Sequence, residues 1–171
     1  FNSIFYFYNS NIHLFNSIKD SKVFKAEFHG ISSGENTLLE YVESNNIMNV
    51  SFYGKFSENE KEKIYDGISF INAVYGNGST VVTTALPNKL YDSLIYLVPI
   101  IACENTFLAK VIEDNGIGFS VKNDWSNLEE KTKAFVASYD KKVFKENCEK
   151  LLERFVKEEK EMHDDFYKLL Q

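Results

Sequence analysis

Residues 86–103 read LPNKLYDSLIYLVPIIAC, and within them the chain changes period. Apolar residues recur at Leu90, Tyr91, Leu94, Ile95 and Leu97, the three-and-four spacing of a helix with one buried side. Ile100, Ile101 and Ala102 follow as an unbroken apolar run, which suits a short strand buried on both faces. A helix that leads directly into such a strand narrows the choice of folds. Parallel strands need a crossover element between them, and a sheet apolar on both faces needs helices to cover it. Pro87 fits a first helical turn, where its missing N–H would have no partner. Pro99 is placed to end the helix.

The alternation continues along the chain. Strands are expected at residues 4–8, 23–29, 49–53, 68–74, 100–102 and 118–121, from their short β-branched and aromatic runs. Between them lie helical patterns. The first runs from a cap at Ser10 or Asn11 to about residue 19, with Ile12, Leu14, Phe15 and Ile18 inward. The second covers residues 37–44. The third covers residues 57–65, where Ser57 and Glu60 have the spacing of a capping box and the charges of residues 58–63 read as a solvated face. Asn105 is the expected cap of a helix carrying Phe107, Leu108, Val111 and Ile112, and Asn115-Gly116 is its stop. Ser126 and Glu129 form a second capping-box pattern for a helix over residues 126–137.

Residues 141–170 carry a long stripe of Val143, Phe144, Cys148, Leu151, Leu152, Phe155 and Val156. The polar patch near Lys157 is expected to break or kink that helix. Apolar surface near Phe166, Tyr167 and Leu170 would be left open to self-association. Strands and helices alternating at this spacing predict an α/β fold, a doubly wound Rossmann-like parallel sheet, in one domain spanning residues 1–171, with residues 140–171 as a C-terminal helical segment.

Composition limits the partners. The 171 residues include 44% hydrophobic and 26% charged residues with a net charge of −6. That balance suits a globular domain and argues against nucleic acid or an anionic membrane surface as a general partner. No run reaches the roughly 20 apolar residues of a membrane span. Cys103 and Cys148 show no metal-ligand spacing; Cys103 reads as a buried thiol, which fits a reducing compartment. There is no P-loop, no G-x-S-x-G elbow and no three-glycine dinucleotide fingerprint in Gly30-Ile31-Ser32-Ser33-Gly34. His13 and His163 read as surface histidines, and Trp125 as a packing residue.

The polar residues of the central stretch are Asn88, Lys89 and Asp92. Lys89 and Asp92 are three apart and share a face at the start of the helix. Free N–H groups and the positive end of the dipole emerge there, so a phosphate could be held with little more. A plain surface ion pair between the two side chains is the alternative.

The stretch PNKLYDSL…P resembles the nucleotide-binding half of retaining glycosyltransferases of the GT-B fold, in particular capsule and surface-polysaccharide enzymes. The resemblance runs from about Phe24 to Phe119 and is specific at residues 86–103. It implies that Asp92, seven positions before Pro99, binds the ribose of a nucleotide sugar, where glutamate is the usual residue. It implies that Asn88, Lys89 and Leu90 hold the diphosphate. Thr84 stands where many relatives carry a second acidic residue over the donor sugar, and Asn77, Gly78 and Ser79 form a small-residue loop on that side. Tyr53, Gly54 and Lys55 match the strand end that holds the base in relatives, or else make an ordinary turn. The resemblance implies a UDP or GDP sugar as donor, a glycan or lipid-linked acceptor bound through a missing N-terminal domain, no metal, no further cofactor, and a cytoplasmic or peripheral inner-membrane location. The chain would then be a piece of a two-domain enzyme. A non-catalytic α/β module and a nucleotide-sugar epimerase of the same fold are the alternatives.

Overall fold

The structure, a computed structural model, describes residues 8–30 and 35–169. In chain order these form α1 (Tyr8–Ile18), β1 (Ala26–Phe28), α2 (Glu35–Ser44), β2 (Val50–Phe52), α3 (Lys61–Asp66), β3 (Ile71–Ala73), α4 (Thr80–Thr84), α5 (Asn88–Tyr96), β4 (Ile100–Cys103), α6 (Phe107–Asp114), β5 (Gly118–Val121), α7 (Leu128–Ser138) and α8 (Lys141–Leu169). The fold is α/β with parallel strands, compatible with a Rossmann-like arrangement. The expected first strand at residues 4–8 lies outside the described residues, apart from Tyr8, which opens α1.

The strands fall into two small sheets rather than one. β1 pairs with β2, and β4 lies between β3 and β5, all in parallel. Each observed strand has only three or four residues; β1, β2 and β3 are shorter than the runs that predicted them, whereas β5 keeps its expected bounds and β4 gains Cys103. In residues 68–74, for example, only Ile71–Ala73 pairs, with Ile100, Ile101 and Ala102 opposite.

β4 shows how the core is divided. Ile100 and Ala102 pack on one face with Leu90 and Leu94 of α5, Ile112 of α6, and Phe144, Cys148 and Leu151 of α8. Ile101 and Cys103 point to the other face, with Phe15 and Ile18 of α1, Leu38 of α2, Trp125 and Leu128. That two-residue alternation places apolar groups on both faces, and each face has its helices. Full burial of a Leu or Ile side chain contributes about 1.5–3 kcal/mol, so the two layers supply most of the drive to fold.

Several helix ends differ from their sequence signals. Ser10 and Asn11 are not caps: they lie inside α1 and are buried, with Ser10 Oγ donating to the Val74 carbonyl at 2.8 Å. Asn105 is not the cap of α6. It takes a left-handed φ of +63°, and Thr106 Oγ1 accepts from the Ala109 N–H instead. Asn tolerates that conformation, which leaves Thr106 in the extended geometry a cap needs. Ser126 is not a cap either. α7 starts two residues later, after Trp125 turns at φ +60°, and the side chain of Asn127 bridges the Lys122 N–H and the Glu104 carboxylate. α5 ends at Leu97 in a left-handed turn closed by Val98 N–H to Ser93 carbonyl, two residues before Pro99. The Asn115-Gly116 stop is observed, with Gly116 at φ +61°.

α8 runs unbroken for 29 residues, without the expected break at Lys157. Side-chain pairs at helical spacing, such as Arg154–Glu158 and Lys157–Glu161, span that region and support the exposed turns. Phe166 and Tyr167 are exposed as expected; Leu170 lies outside the described residues. Among the described residues no helix is long and apolar enough to cross a membrane.

Candidate functional site

A cavity of about 580 Å³ lies between the two sheets, a size that accommodates a small molecule. β1 and β3 both line it, from Ala26 to Phe28 on one side and at Ile71 and Asn72 on the other. The walls are largely apolar and include the aromatic side chains of Phe24, Phe28, Phe56, Phe70, Tyr65 and Tyr75. Its polar wall comes from α5 and α3, through Lys89, Asp92 and Lys61.

Asp92 is buried on the second turn of α5. Its two carboxylate oxygens have different partners. Oδ1 lies 3.3 Å from the Lys61 ammonium, and Oδ2 accepts a 2.8 Å hydrogen bond from the Tyr65 hydroxyl. Lys61 reaches a second carboxylate, that of exposed Glu58, at 3.0 Å. Burial pushes the Lys61 pKa down, but its bonds to Glu58 and Asp92 outweigh this, and the net direction is upward. Tyr65 is held well above the ordinary phenol range by burial and by the Asp92 carboxylate it bonds. Its ring stacks on Tyr96 with centroids 4.7 Å apart.

Lys89 behaves differently. Its ammonium donates to the Asn72 carbonyl at 2.7 Å and lies 5.6 Å from the centre of the Tyr75 ring. Burial drives its pKa down to about 8, partly offset by the nearby charge of Asp92. Lys89 and Asp92 thus share a helix face and the cavity, but the ion pair that forms is Lys61–Asp92, and the expected surface pair between Lys89 and Asp92 is replaced by two buried attachments.

The remaining sequence candidates sit elsewhere. Asn88 is exposed at the start of α5. Leu90 is fully buried in the core and its N–H donates to the Pro87 carbonyl at 2.9 Å. Asn77 and Gly78 are exposed, and Ser79 caps the short α4 through Val82 N–H. Thr84 is exposed at the end of α4, its hydroxyl turned back to the Thr80 carbonyl. Gly54 adopts φ +69° and Lys55 is exposed. Tyr53 is 56% exposed and stacks flat on His29, 4.7 Å between centroids. His29 itself lines the cavity, so Tyr53 reaches it only at second hand. His13 and His163 are exposed and Trp125 is buried, as expected.

The sequence reading missed Lys61, Tyr65, Asn72 and Tyr75. Lys61 falls within the charged run expected to form a solvated face, yet it is buried. A signal was present: Lys61, Ile64, Tyr65 and Ile68 recur at helical spacing, and all four line the cavity. The density of charge around Lys61 concealed it.

Compared with models of protein families the sequence matches none, and compared with curated proteins it finds no match.

Proposed function

We propose that this chain is the donor-binding half of a GT-B glycosyltransferase of the surface-polysaccharide type. One observation carries the reading: Lys89 and Asp92, three residues apart on α5, both reach the wall of one cavity beside a parallel sheet. In this reading the two sheets are parts of one doubly wound array in the order β2-β1-β3-β4-β5, and the cavity marks the place where strand order reverses. Backbone N–H groups of Asn88 and Lys89, with the Lys89 ammonium, hold the diphosphate and stabilise its charge as it leaves. Asp92 accepts from the ribose. This reading assigns Asn77, Gly78, Ser79 and Thr84, which lie outside the cavity wall, to the sugar, and Tyr53, Gly54 and Lys55, also outside it, to the base. The acceptor comes from a second domain, and the sugar is transferred with retention, with the enzyme at the cytoplasmic side of a membrane.

A non-catalytic α/β module is the second reading. It is favoured by the bonds that already occupy both oxygens of Asp92 and the ammonium of Lys89.

Titration calorimetry with UDP, GDP and ADP separates the two. The donor-binding reading expects one diphosphate to bind, and Asp92→Ala and Lys89→Ala each to weaken it. Silence with all three up to about 1 mM, where binding is still worth roughly −4 kcal/mol, in this chain and in a longer protein containing it, favours the module.

A further inference from the structure

β1 and β3 belong to different sheets, yet both line one cavity with consecutive residues, 25–29 on one side and 69–72 on the other. Their hydrogen bonds show which way each edge faces. Ala26 N–H donates to the Asn49 carbonyl and the Phe28 carbonyl accepts from Tyr53 N–H, both toward β2, while Ile71 N–H donates to the Pro99 carbonyl, toward β4. Peptide groups alternate sides along a strand, so those of Glu27 and Asn72 point into the gap between the sheets. The Asn72 carbonyl is met there by Lys89, and a carbonyl can accept a second bond. We propose that Ile4-Phe5-Tyr6-Phe7 enter this gap as a central parallel strand and join the two sheets into one.

Position, direction and chemistry single out this occupant. Ser10 Oγ donates to the Val74 carbonyl at 2.8 Å, which places the start of α1 beside the carboxyl end of β3. A segment running straight into Tyr8 ends at that edge and runs parallel to β3, in the strand-then-helix order of a parallel sheet. At about 3.3 Å per residue, four residues span about 13 Å, enough to match the three residues of β1 and of β3. Alternation sends Ile4 and Tyr6 to one face and Phe5 and Phe7 to the other. Both faces of the gap are apolar, with Leu14, Ile18 and Leu128 on one and Tyr65 and Ile68 on the other. A strand apolar on both sides fits there, where a one-sided strand would bury polar groups. Open strand edges are a template for pairing, and a strand in the gap bonds to both at once. Closing the gap is independent of either reading of the function, and it confines a ligand to the carboxyl ends of the strands, where α5 begins.

The test is amide hydrogen exchange of the intact chain, read residue by residue by NMR and compared with the urea-unfolded chain. A central strand is bonded on both edges, so consecutive amides of residues 5–7, with those of Glu27 and Asn72, are expected to exchange at least about 100-fold more slowly than when unfolded. No residue is replaced, so the folding of a variant is not at issue. Free exchange of residues 5–7, or protection of alternate amides only, overturns the proposal. Protection of Glu27 and Asn72 without residues 5–7 overturns it too, since something else then fills the gap. So does protection of residues 5–7 that falls on dilution together with a dimer seen by sedimentation, since the strand then comes from a second copy. No nucleotide is present, so the outcome is separate from that of the calorimetry.

Discussion

The Lys61 ammonium and the Asp92 carboxylate meet at 3.3 Å, although 31 positions separate them in the chain, and each side chain is only 10% exposed. This pair ties α3 to α5 and sets one wall of the cavity. Removing one member leaves the other charge buried. The expected cost of Lys61→Met is about 2–3 kcal/mol, below the 3–5 kcal/mol of a fully enclosed pair because Asp92 keeps its hydrogen bond from the Tyr65 hydroxyl. Asp92→Leu alone should cost at least as much. The double variant Lys61→Met/Asp92→Leu should be more stable than either single one. Urea unfolding measures all three, and strictly additive losses would show that the pair is not coupled.

Lys89 gives stability an upward slope in mild alkali. Its pKa is about 8 folded against an ordinary 10.5. Below pH 8 both states carry the proton, and the folded state bears the whole cost of burying the charge. Between pH 8 and 10.5 the unfolded chain keeps the proton and the folded one has released it, so stability rises with pH. Above 10.5 the cost is gone. The buried thiols pull the other way from pH 9, so the comparison is with Lys89→Met. Wild type should gain on the variant between pH 7.5 and 9, read as the shift in unfolding midpoint. A constant difference would mean that the ammonium is solvated.

Both thiols should be inert in the folded protein. Burial pushes Cys103 up to about 11 and Cys148 up to about 12, so little thiolate exists at pH 8. Ellman's reagent is expected to find no fast-reacting thiol in buffer and two in 6 M guanidinium. A fast thiol in buffer would place one cysteine at the surface.

Gly118 has no room for a side chain. It pairs with Ile100 across β4 and β5, and a Cβ there would stand 2.0 Å from the Ile100 carbonyl oxygen. Gly118→Ala should therefore destabilise by about 3 kcal/mol or more, since backbone rather than a movable side chain must yield. Gly54→Ala is the contrast. It meets no atom within 4 Å but must adopt φ +69°, at a cost of about 1 kcal/mol. Thermal unfolding of the two variants should rank them in that order.

The sequence by itself determined the elements and their sidedness. Helix α5, strand β4 and the buried stripe of Phe144, Cys148 and Leu151 were readable, because period is a property of adjacent residues and burial of apolar groups is non-directional. The stop at Gly116 was readable for the same local reason. Caps were less so: Asn105 and Ser126 have the right chemistry, but the turns at Asn105 and Trp125 decide which residue reaches the free N–H groups.

Only the tertiary structure decided the site. Lys89 and Asp92 were legible as neighbours on one helix, yet their partners, Asn72 on β3 and Lys61 and Tyr65 on α3, come from segments whose approach no local pattern encodes. Hydrogen bonds are directional, and the energy of a charge depends on distance and surroundings. The same lysine type is pushed up in pKa at position 61, where Glu58 and Asp92 bond the ammonium directly, and down at 89, where burial outweighs the nearby charge of Asp92.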